Sequence, residues 1–122
     1  MSKKEFNYLL EKLEKSKTED EVYSNLKNLL RESSSKLYKH RILDNPYFRS
    51  LIPEVRNEVL GDINIIRESL KEEIESIDIE LTRLISKDLN NKNINKLKEL
   101  KRECISLIYE IDERKKDLNN LF

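Results

Sequence analysis

The sequence predicts an all-α protein whose second half folds as a long antiparallel helical hairpin, and three observations carry that prediction. The 122 residues include one glycine, Gly61, two prolines, Pro46 and Pro53, and no alanine. That scarcity of glycine and proline leaves few places for the tight turns that a sheet needs roughly every eight to twelve residues. Apolar side chains recur every three or four positions through most of the chain, the spacing of one helix face. Between two such stretches, Asn90, Asn91, Lys92 and Asn93 supply a turn, because asparagine caps helix starts and tolerates the left-handed conformation at helix ends.

The elements follow in order. Ser2 with Glu5 has the form of a capping box, and Phe6, Leu9, Leu10 and Leu13 recur behind it, which predicts a helix over 3–16. Thr18 with Glu21 repeats the signal and starts a second helix near 19. Its stripe runs through Val22, Leu26, Leu29 and Leu30, then across Ser33, Ser34 and Ser35 to Leu37, Tyr38 and Ile42. The helix is read to about 42, with the serines, poor helix formers, as an alternative end. Asp44, Asn45 and Pro46 form a stop and restart, with Asn45 as N-cap and Pro46 in the first helical position. A short helical turn carrying Tyr47, Phe48, Leu51 and Ile52 then meets Pro53, which is expected to kink the chain or begin the next helix.

From there Val55, Val59, Ile63, Ile66, Leu70, Ile74, Ile77, Leu81, Leu84 and Ile85 repeat with an eleven-residue period, the signature of a nearly straight helix. This predicts a helix over about 54–88, roughly 50 Å long at about 1.5 Å per residue, with a bend allowed at Gly61. After the asparagines, Leu97, Cys104, Ile111 and Leu118 are seven apart, as are Leu100, Leu107, Arg114 and Leu121. That is a coiled-coil-like seam interrupted at Arg114, over about 94–120. Two amphipathic helices joined by so short a turn must lie antiparallel. The acidic face with Glu68, Glu72, Glu73, Glu75 and Asp78 is expected to meet Lys96, Lys98, Lys101 and Arg102. A single domain is expected: a helix pair over 1–43, a connector over 44–53 and the hairpin over 54–122, four-helix-bundle-like.

Charged residues make up 39% of the chain and apolar ones 37%, the balance of slender helices with broad wet faces. The net charge of zero is unevenly spread. Residues 33–53 hold four cations and one acid, while 54–89 hold five cations and ten acids. Cys104 is the one cysteine; it falls on an apolar stripe and reads as a small core residue. A chain without cysteine pairs, without a long apolar run and without a leader-like start is expected in the cytoplasm, away from membranes. The abundance of Ile, Lys and Asn with no alanine fits an AT-rich coding sequence of the sort found in low-GC bacteria, phages and plasmids.

No phosphate loop, His-Glu-x-x-His, cysteine pair or nucleophile elbow is present. The lone His40 cannot complete a carboxylate metal site with the acids of 68–80, so no enzymatic activity, metal or cofactor is expected. The segment 36–56 is the most suggestive one. There Lys36, Lys39, Arg41 and Arg49 are interleaved with Tyr47 and Phe48, a mixture that suits a bundle end, a protein contact or a nucleic-acid surface. The expected function is a non-enzymatic protein–protein interaction module, a scaffold, inhibitor or regulator that meets a partner protein or its own copy. The alternative is a nucleic-acid-binding regulator using residues 36–56.

Overall fold

The computed structural model describes residues 2–32 and 42–120, where four helices lie wholly within the described residues and no strand is found among them. They are α1 (Lys3–Glu14), α2 (Glu19–Glu32), α3 (Pro46–Lys87) and α4 (Asn93–Asn119). The expected continuation of the second helix through the serines to about 42 falls on residues 33–41, outside the described residues, and so does His40. Packing divides the chain into two compact units: Met1–Asp62 with Arg114–Phe122, and Ile63–Glu113.

Local signals set the helix starts. At α1 the Ser2 hydroxyl accepts from the Glu5 N–H at 3.1 Å and the Glu5 carboxylate accepts from the Ser2 N–H at 3.2 Å, the reciprocal box the sequence calls for. At α2 only half of that pattern forms as expected. Thr18 Oγ1 accepts from the Glu21 N–H at 3.1 Å, but the Glu21 carboxylate reaches one residue further back, to the N–H of Lys17 at 2.9 Å. Either way two otherwise orphaned donors are satisfied. At α3, Asn45 Oδ1 accepts from the N–H groups of Tyr47 at 2.9 Å and Phe48 at 3.3 Å.

The first unit buries one stripe from each of its helical segments: Phe6, Leu10 and Leu13 from α1; Val22, Leu26, Leu29 and Leu30 from α2; Phe48, Ile52, Val55 and Val59 from α3; and Leu118 from α4. Four segments contributing to one core make this unit bundle-like. The connector expected over 44–53 is a correction. Helix α3 begins at Pro46 rather than near 54 and runs through Pro53 without a break. The reason is the burial of Phe48, Ile52, Val55 and Val59 at steps of four, three and four, which holds the helical phase across the proline. Pro53 lies on the exposed side, where water can take over the Arg49 carbonyl that its missing N–H leaves without a helical donor.

The second unit is the hairpin. Its core holds Ile77, Leu81 and Leu84 of α3 against Ile94 and Cys104 of α4, with Leu70, Ile74 and Leu97 packed around them. Cys104 is thus the buried apolar residue that its place on the stripe suggests. The turn is made by side chains: Asp88 accepts from the Asn90 N–H at 3.1 Å and Asn91 from the Asn93 N–H at 2.8 Å. No described non-glycine residue has a positive φ, so the asparagines work as local acceptors and not through the left-handed conformation. Of the cross-helix pairs expected from charge, Asp78–Lys101 forms at 2.6 Å. A second, Arg67–Asp112 at 2.9 Å, has the opposite polarity.

Two substitutions test this packing. Leu26→Ala removes a fully buried side chain and is expected to lower unfolding free energy by about 2–5 kcal/mol. Pro53→Ala restores a helical donor at an exposed site and is expected to raise it by about 1–3 kcal/mol. Urea unfolding followed by circular dichroism measures both.

Candidate interaction surface

The six residues singled out by the sequence do not all come into view. Lys36, Lys39 and Arg41 lie outside the described residues. Tyr47, Phe48 and Arg49 sit in the first turn of α3, where the helix divides them. Phe48 is 8% exposed and belongs to the core, whereas Tyr47 is 45% exposed and Arg49 is exposed as well. The two rings stay near each other, with centroids 6.2 Å apart and planes tilted by 46°. Tyr47 and Arg49 thus remain as surface, and Phe48 with Ile52 plugs the core.

The polar side of the first unit carries a ladder between α2 and α3 that sequence reading did not find. The Glu58 carboxylate accepts from Lys27 Nζ at 2.6 Å and from the Tyr23 hydroxyl. Asp62 accepts from Lys27 Nζ at 3.2 Å and Arg31 Nη2 at 3.0 Å. Lys27 and Arg31 are four apart on one helix, as Glu58 and Asp62 are on the other, so each pair stacks on one face. The Lys27 hydrogen bond, then that from Tyr23, holds Glu58 below the ordinary carboxylate range. The Lys27 hydrogen bond does the same for Asp62, and Lys27 is raised by its bonds to Glu58 and Asp62. Donating to a charged acceptor pushes the Tyr23 phenol up to about 12.

Arg114 explains the break in the α4 seam. Its guanidinium donates to the carbonyl of Leu30 in α2. The residue that spoils the heptad is a cation that gives a second donor to a backbone carbonyl of α2.

On the hairpin, the two ion pairs mark one edge. Arg67 and Asp78 are eleven residues apart on α3, as are Lys101 and Asp112 on α4, and eleven residues are three full turns. Ile66 and Leu100 each precede an edge residue by one position, which turns them about 100° away, across the buried seam to the other edge. Leu107, seven beyond Leu100, follows the same line. All three are well exposed: Ile66 54%, Leu100 41% and Leu107 46%. Ile105 and Tyr109 are exposed toward the ion-pair side, and Ile65 and Ile79 on the outer face of α3. At the tip, Ile85, Leu89, Asn91, Ile94 and Lys98 line a recess of about 330 Å³. It combines apolar walls with amide and ammonium donors.

Among the described residues, no three His, Cys, Asp or Glu side chains are grouped so as to hold a metal ion, and no helix is long and apolar enough to cross a membrane. No known protein family matches the chain, nor does any curated protein or solved structure.

The ladder predicts a pH dependence. Glu58 and Asp62 are depressed, so their stabilisation is complete above the ordinary carboxylate range, about pH 4, and is lost as pH falls through their folded values. The raised Lys27 and Tyr23 contribute below their ordinary values and lose that contribution as pH rises through the folded ones. Urea midpoints are expected to fall at both extremes, less steeply on the acid side in Glu58→Gln with Asp62→Asn. High salt is expected to shrink the effect, because both carboxylates stand partly in solvent.

Proposed function

We propose that this protein is a non-enzymatic interaction module that engages a protein partner through the edges of its hairpin. The observation that carries the reading is the row of exposed aliphatic side chains, Ile66, Leu100 and Leu107, along one edge of a unit whose central seam is already filled. A helix pair covers one stripe per helix, and these residues lie beside that stripe. Exposed aliphatic side chains set in a row along one edge are of the kind that meet another macromolecule. The grouping of side chains supports a binding role too: the thiol of Cys104 is buried, and the carboxylates named above are engaged with cations or face solvent.

A second reading, contact with nucleic acid, is favoured by the exposure of Tyr47 and Arg49. Phe48, being buried, is withdrawn from any stacking surface. This reading predicts binding to DNA or RNA that falls steeply with salt and weakens in Arg49→Glu.

Two measurements test the first reading. Light scattering across a concentration series reports self-association, and a photo-crosslinking amino acid placed at Leu107, or at exposed Glu75 as control, reports partners in the native host. A dimer, or adducts from position 107 and not from 75, is expected. A strict monomer with no adduct from position 107 overturns the reading.

A further inference from the structure

We propose that the occupant of the Leu100–Leu107 edge is a basic amphipathic helix of a partner protein. The proposal rests on the interaction reading above and names the chemistry of the partner. The pairs Arg67–Asp112 and Asp78–Lys101 fix the register of the hairpin, each step forward along α3 being matched by a step back along α4. Continued across the seam, that register sets Glu73 beside Leu107 and Glu80 beside Leu100. The α3 wall of the edge is then Ile66, Glu73 and Glu80, seven apart; the α4 wall is Leu100 and Leu107, also seven apart. The floor between them is the buried seam around Ile77 and Leu84.

Glu103 and Glu110 follow the two leucines by three residues, which places them on the outer rim of the α4 wall, and both are exposed. The groove therefore has an apolar line at heptad spacing and acids along both borders. Arg83 offsets part of this charge by holding Glu80, its Nε lying 3.0 Å from Oε2. Lys96 stands at the tip end of the edge, beyond Leu100. The central stretch, with Glu73, Glu103 and Glu110, stays acidic.

A helix laid in this groove buries its own apolar line on Leu100 and Leu107 while its flanks meet those carboxylates, so it must carry Lys or Arg there. A second copy fits poorly. The same edge on a two-fold mate brings acids against acids. The opposite edge offers Arg67 and Lys101, already bound to Asp112 and Asp78.

The test uses the full chain and two labelled three-heptad helical peptides with leucine at heptad spacing, one flanked by lysine and the other, otherwise identical, by glutamate. Fluorescence anisotropy at low and physiological salt gives the affinities. The lysine peptide is expected to bind at least about tenfold tighter than its glutamate twin. Leu107→Ser is expected to weaken the lysine peptide by about tenfold or more. Glu73→Lys with Glu80→Lys is expected to weaken the lysine peptide and improve the glutamate one. Leu107 and Glu73 are exposed and Glu80 is half-buried, and circular dichroism confirms that each variant folds.

Equal binding of the twins, or variants without effect, overturns the proposal. A dimer or an adduct at position 107 alongside either result leaves the interaction reading standing and removes the basic helix alone. Silence from both peptides, light scattering and crosslinking removes both.

Discussion

A helix with an apolar stripe must cover it, and in this chain nearly every element answers to the stripe of α3. Its first third, from Phe48 to Val59, meets the N-terminal helices' demand for a core, and its later part, from Leu70 to Leu84, meets that of α4. One helix thus serves two cores, and the rest of the chain is arranged by what it can offer at each place. Burial of this kind contributes about 25 cal/mol per Å², which outweighs any of the exposed ion pairs at about 0–1 kcal/mol each. The charges therefore choose register and edge, and the aliphatic side chains decide that the helices pack at all.

The features legible in the sequence were those that depend on neighbours within a turn or two. The Ser2 box, the Asn45 cap, the asparagine turn and the alternation of buried positions in α3 follow from spacing alone. Pro53 does not begin a new helix, because helix propensity is a local prior, and the burial of Phe48 and Ile52 before it with Val55 and Val59 after it overrides that prior. The heptad lines of α4 were read correctly as lines, but one of them, through Leu100 and Leu107, lies at the margin of the contact and remains exposed. Periodicity reports that a residue is on the apolar side of its helix; it does not report how wide the partner is.

The surface was harder to foresee for a related reason. The segment chosen for its mixture of cations and aromatics was split by helix phase, which sends Phe48 inward and leaves Tyr47 and Arg49 outside. The Tyr23, Lys27, Glu58 and Asp62 ladder left a trace in the sequence, as matched pairs four residues apart on two helices, but which pair faces which is settled only by tertiary register. The same holds for Arg114, whose partner, the Leu30 carbonyl, is 84 residues away in sequence. A polar residue on an apolar line invites the search for such a partner, and the composition of the line alone gives no address for it.

That long reach bears on biosynthesis. Ile63–Glu113 is one unbroken stretch with contacts on either side of a short turn, so a ribosome can release it as a piece able to pair at once, with little loop entropy to overcome. The other unit draws on both ends of the chain, and Leu118 is fully buried in it. Its first helices can pack on each other and on the Phe48–Val59 stretch of α3 soon after they are made, but the core stays unfinished until the later turns of α4 bring Leu118 to it. During that interval the unfinished core is apolar surface open to aggregation or to a chaperone.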